Sequence, residues 1–229
     1  MFYFDYYYWI LILPAALFAM WAQMRVQSTF RRYSKTGNLR GLTGAGAARM
    51  ILDANGLQNI RLEHISGNLT DHYDPRNQVI RLSDSVWGSS SVAAVGVAAH
   101  EAGHAVQHAV GYFPIKIRTA VIPVTNIGSK LSIPLILLGI FFQAQPLVSV
   151  GILLFATVAL FQLVTLPVEY NASGRAMKVL EQSGMLMGEE LTGARKVLSA
   201  AALTYVAALI TALAQLLRLV MLFGRRNDD

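Results

Sequence analysis

The chain contains no cysteine, so disulfides, thiolate metal ligands and a cysteine nucleophile are all excluded. Any bound metal must be held by His, Asp or Glu. Charge is also scarce. Only 14% of the 229 residues are Asp, Glu, Lys or Arg, against roughly 25% in an average soluble domain. Hydrophobic residues make up 54%, and that balance points to lipid. Acids are the rarer charge, leaving a net charge of +6. The basic residues lie beside apolar runs instead of forming a separate stripe. That placement fits contact with anionic membrane lipid and gives no reason to expect a nucleic-acid partner. There is no internal repeat or low-complexity linker, and the length suits a single integral-membrane domain.

Four apolar runs are present, at about residues 2–24, 120–142, 147–167 and 203–223, each near the ~20 residues that cross a bilayer. The first opens with Phe2, Tyr3, Phe4, Tyr6, Tyr7, Tyr8 and Trp9 and has Trp21 near its far end, which suits two interfacial aromatic belts. Arg25, Arg31, Arg32, Lys35 and Arg40 follow it. By the positive-inside rule the N-terminus lies outside and residue 25 onward in the cytoplasm. The run reads as an uncleaved anchor, because a secretory signal carries its basic residues in front. The second run includes Asn126 and Lys130, with Pro123 and Pro134 as candidate kinks, so it is expected to be partly broken or interfacial. Arg225 and Arg226 at the far end weigh mildly against four crossings.

Residues 25–118 read as the soluble portion. Thr43 can cap a helix through Ala47, Met50, Ile51 and Leu52 that stops near Asn55-Gly56. Residues 60–65 and 78–82 alternate like strands, and the Asp-, Asn- and Pro-bearing stretch between them reads as a turn. A small sheet or hairpin follows. If residues 77–83 formed a sheet edge, they could bind an extended peptide by main-chain pairing; an internal strand is the alternative. One of Ser89, Ser90 or Ser91 then caps a helix that Gly111 and Pro114 end. It is apolar on nearly every face and should be buried.

That helix carries His100-Glu101-Ala102-Gly103-His104. Residues four apart on a helix share a face, so both imidazoles can reach one metal ion, with the Glu beside it as a proton acceptor. Five histidines and six glutamates in random order would produce this pattern about 0.003 times per chain. The competing reading, two satisfied histidines in a packed core, also leaves Glu101 buried without a cation.

A third ligand is needed. His108 extends the spacing, but i and i+8 lie ~12 Å apart along a helix, too far for one ion. Glu169, in the stretch Leu166-Pro167-Val168-Glu169-Tyr170-Asn171, stands where an apolar run gives way to a polar helix. An ionisable group at that depth asks for a partner. Two crossings after the His100 helix also return the chain to the same face. Pairing of Glu169 with Arg175 or Lys178 is the alternative. For the negative charge that hydrolysis develops on a carbonyl oxygen, His72, Tyr73 and Arg175 are candidate donors.

These motifs, together with the aromatic N-terminal run and the stretches 28–38, 69–87, 91–109, 167–176 and 196–208, resemble the YugP-like bacterial neutral zinc metallopeptidases almost end to end. The resemblance implies a mainly α, polytopic membrane protein built on a zincin-like helix, with a small sheet in its cytoplasmic portion. It implies Zn2+ held by His100, His104 and Glu169, with Glu101 as base. It also implies hydrolysis of polypeptide, expected here to be membrane-associated or misfolded, near the cytoplasmic face of the bacterial inner membrane. Better-studied relatives often place an Asp four residues after the ligand Glu; here that position is Ser173, with Asn171 two residues after it. A non-catalytic zinc-binding scaffold or chaperone-like partner is the alternative. A bis-histidine haem protein would need its ligands on facing helices.

Overall fold

A computed structural model describes residues 5–224; Phe2, Tyr3, Phe4, Arg225 and Arg226 lie outside the described residues. A π-helical stretch Tyr8–Ile12 runs into α1 (Leu13–Tyr33). It is followed by α2 (Gly44–Ala54), β1 (Arg61–Ile65), β2 (His72–Asp74), β3 (Val79–Ser83), α3 (Val92–Ala109), α4 (Phe113–Phe141), α5 (Gln145–Gln182) and α6 (Gly188–Phe223). Four of these helical stretches, Tyr8–Tyr33, α4, α5 and α6, are long and apolar enough to cross a membrane. The protein is a mainly α, polytopic membrane protein with one small sheet.

The chain divides into two compact units. One holds residues 24–115 and 168–203. Its core gathers Ile51 and Leu52 of α2, Ile80 and Leu82 of β3, Val92 and Val95 of α3, Leu180 of α5 and Leu198 of α6. Thr43 caps α2 by accepting from the Gly46 N–H, and Asn55 ends it, as its sequence predicts. Ser91 does the same for α3 through the Ala94 N–H, and Gly111 at φ +63° closes the exit. Pro114 falls in the first turn of the next helix, where its missing N–H costs nothing.

The sheet departs from expectation in two ways. The stretch expected to be only a turn contains β2, so the sheet has three strands in the order β1-β3-β2. The turn proper is confined to 75–78. There the Asp74 carboxylate accepts from the Arg76 and Asn77 backbone N–H groups and from Asn77 Nδ2. β3 is also the central strand, parallel to β1 and antiparallel to β2. Both its edges are paired, so it cannot receive a peptide by strand addition. Its near-complete burial fits the placement, since Val79, Ile80 and Leu82 are all fully buried and Ile80 and Leu82 join the core.

The second unit holds 116–167 and the described parts of residues 1–23 and 204–229. Small residues allow close helix approach here, as in membrane bundles generally. A Cβ on Gly151 would sit 2.8 Å from the Ser132 carbonyl oxygen, and one on Gly128 would sit 2.6 Å from that of Leu154. Arg218 Nε donates to Asp5 Oδ2 at 3.0 Å, with the guanidinium over the Tyr8 ring. The expected interruption near Asn126 and Lys130 does not occur; α4 runs unbroken through Pro123 and Pro134. α5 likewise continues across Pro167, so Glu169 sits inside one long helix and not at the start of a new one.

Candidate metal centre

α3 is built for enclosure. Alanine, glycine and valine dominate its sequence, so neighbouring elements can close on it with little side chain between. The closest approach is at Gly103, where an added Cβ would meet the Ala172 carbonyl oxygen of α5 at 2.7 Å. Gly103 lies one residue before His104 and Ala172 three after Glu169. Backbone contact at this point sets the carboxylate of α5 against the imidazoles of α3.

His100, His104 and Glu169 converge there, each offering one ligand atom. The two Nε2 atoms are 3.1 Å apart, and Glu169 Oε2 lies 3.3 Å from His100 Nε2 and 3.5 Å from His104 Nε2. Two ligands at ~2.05 Å from a tetrahedral zinc are separated by about 3.3 Å. The three edges bracket that value. Glu169 is 2% exposed and His104 8%. A carboxylate so deeply buried costs several kcal/mol unless a cation answers it.

The outer ring nitrogens are held in turn. His104 Nδ1 lies 3.0 Å from Gln107 Oε1. Gln107 Nε2 donates to the Val168 carbonyl at 2.8 Å and to Asn171 Oδ1 at 2.9 Å. A main-chain carbonyl can only accept, so the Gln107 amide is oriented with its oxygen toward the imidazole. His104 Nδ1 must then carry the proton, and in the neutral ring Nε2 turns a lone pair toward Glu169 and His100. Ser173 Oγ makes the corresponding contact to His100 Nδ1 at 3.0 Å. These are the outer partners that orient metal-bound imidazoles. Burial disfavours an imidazolium at His104. Glu169, Glu101 and Gln107 together outweigh it, so its pKa is raised. The cavity is electron-rich and favours a cation. Two imidazole nitrogens and a carboxylate within 3.5 Å of one another fit a divalent ion.

Glu101 is buried beside His100 on the same helix and close enough to act electrostatically on His104. Arg175, considered as a partner for Glu169, donates through Nε to Asn171 Oδ1 at 2.8 Å and lies over the Tyr112 ring. His108 stands outside the metal-capable group, with its ring edge-on to Tyr73 at 5.5 Å between centroids. His72 is also outside it. It is exposed on β2, with Nδ1 2.9 Å from the Thr70 carbonyl and Nε2 3.5 Å from Arg81. Burial and the Asp74 charge push the Tyr73 phenol up, keeping it a donor at neutral pH. Sequence reasoning missed Gln107. Its signal was an amide three residues after His104 on an otherwise apolar helix.

Comparison with known proteins gives the family. The model of the family described as "Putative neutral zinc metallopeptidase" matches residues 8–224. The chain is 46% identical over 219 residues to the "Putative membrane protease YugP" of Bacillus subtilis (strain 168), covering 96% of this chain and 97% of that one. No solved structure matches.

Proposed function

The chain belongs to the neutral zinc metallopeptidase family, and from that premise we propose that it is a membrane endopeptidase whose zinc is held by His100, His104 and Glu169. The observation that carries the proposal is the set of 3.1–3.5 Å edges among their ligand atoms. Among the described residues the group has three members, one short of the four that close a structural zinc site. An open position favours hydrolysis over the scaffold reading.

When bound, zinc polarises a carbonyl and lowers the pKa of water to roughly 7. The chain's own residues do the rest. Glu101 takes up a proton at its carboxylate and later delivers it to the leaving amine. Gln107 holds His104 in the tautomer that presents Nε2, and Ser173 steadies His100. Ala98, Ala99, Ala102 and Ala105 are buried and seat α3 in the hydrophobic core, which fixes the helix that carries the acid. Of the two β2 residues, Tyr73 is assigned as the oxyanion donor, because its protonated phenol packs beside His108 on α3. His72 is assigned to holding β2 through Thr70 and Arg81.

The substrate class is polypeptide, membrane-associated or misfolded. The site is assigned to the cytoplasmic face of the inner membrane, a reading supported by the basic residues that follow the first spanning helix. The test is Glu101→Gln in the full chain. It is expected to retain zinc stoichiometrically and lose proteolysis by a factor of at least ~100. Cleavage at the parental rate would reject the mechanism.

A further inference from the structure

A hollow in the unit of residues 24–115 and 168–203 is lined by none of the metal ligands. It has a volume of about 700 Å³ and is walled by α1, α5 and α6. Arg25 and Arg32 enter it from α1, and Arg195 and Lys196 from α6. The α1 pair is seven residues apart, with Ser28 and Thr29 on the same helical face between them. No Asp or Glu lines the hollow. No carboxylate of a described residue pairs with any of its four cations. Four like charges around one concavity repel one another, and an anion seated among them removes that repulsion.

Position along the helices identifies the anion. From Tyr8 to Arg25 a helix rises about 26 Å, close to the roughly 30 Å thickness of a hydrocarbon core. In α6 the stretch from Leu203 to Phe223 also rises about 30 Å, and Arg195 and Lys196 precede it. Both pairs of cations therefore stand where phosphate headgroups lie. Leu203 and Ala200 complete the wall on the side toward the apolar stretch of α6, giving an acyl chain an apolar exit. Serine hydroxyls at 28 and 199 supply neutral donors beside the cations.

We propose that this hollow is a specific site for the headgroup of an anionic phospholipid, whose phosphate sits among Arg25, Arg32, Arg195 and Lys196. Each cation near a membrane surface is worth about a fivefold factor in lipid affinity, so removing two costs about 25-fold.

The experiment is a lipid titration of the full-length, detergent-solubilised chain by native mass spectrometry. Phosphatidylglycerol is the probe, phosphatidylcholine the neutral control and glycerol phosphate the chain-free control. Phosphatidylglycerol is expected to bind one per chain, ahead of phosphatidylcholine. The Arg32→Gln/Arg195→Gln double variant should weaken it about 25-fold, while Arg76→Gln, remote on the β2–β3 turn, leaves it unchanged. Circular dichroism checks that the double variant is folded. If it is not, Arg25→Gln, with an expected loss of about fivefold, replaces it. Equal binding of both lipids, or unaltered affinity in the folded variants, would overturn the proposal. Full displacement by millimolar glycerol phosphate would instead make this a phosphate site and reject the lipid.

Discussion

Gly103→Ala adds one methyl group to the middle of the metal-binding helix, and the structure makes its consequence calculable. The new Cβ would lie 2.7 Å from the Ala172 carbonyl oxygen and 3.3 Å from its carbon. An ordinary contact to that oxygen is about 3.4 Å, so α3 and α5 must part by roughly 0.7 Å. Both obstructing atoms are backbone, so no side-chain rotation relieves the clash. Glu169 rides on α5, and its 3.3 and 3.5 Å separations from the histidines would widen toward ~4 Å, beyond the ~3.3 Å edge of a tetrahedral site. Overpacking of this kind costs about 1–3 kcal/mol. If the strain is relieved by loosening Glu169, zinc affinity falls by about 5- to 150-fold. Competition against a chelating dye on the purified chain measures it. Gly96→Ala on the same helix is the internal control. Its Cβ would meet Ala194 Cβ at an ordinary 3.4 Å, so it should leave affinity unchanged and raise stability by up to about 1 kcal/mol. The reasoning fails if Gly103→Ala binds zinc within twofold of the parent.

Gln107→Leu should weaken zinc binding or activity about 10- to 100-fold, because His104 Nδ1 loses the acceptor that selects its tautomer; unchanged affinity in the chelator assay would contradict that role. Asp74 tests the soluble sheet. Hydrogen bonds from the Asn77 side chain, then Arg81 and the turn N–H groups, hold its carboxyl well below the usual range. A depressed folded pKa stabilises above the unfolded value of about 3.9 and is lost as pH falls through that value toward the folded one. Asp74→Asn should therefore reduce stability at pH 7 and flatten the acid decline below about pH 4. Denaturant unfolding followed by Trp87 fluorescence checks it, and an unaltered pH slope would refute it.

What could be read from the residues alone divides along a physical line. The His100–His104 pair depends on the period of one helix, so spacing suffices. Glu169 was legible because an acid in an apolar environment needs a counterpart. The helix caps at Thr43 and Ser91 are local chemistry and came out as expected. β2 was not legible, since three residues flanked by Asp and Pro carry turn signals, and only β3 beside them makes them a strand. The central place of β3 depends on which neighbours pair with it. Pro167 reads as a boundary, yet α5 continues through it despite the backbone hydrogen bond a proline removes. Gln107 owes its role to Val168 and Asn171, 61 and 64 residues away; an amide on an apolar helix signals that a partner is needed and does not say which.

X-ray absorption at the zinc edge of the full chain, loaded with one equivalent of zinc, tests the metal centre most directly. Two imidazole scattering patterns plus oxygen donors at about 2.0–2.2 Å are expected, with one oxygen exchanged when a hydroxamate is added. A spectrum with one imidazole, or one that hydroxamate leaves untouched, would contradict the assignment of His100, His104 and Glu169 to an open hydrolytic site.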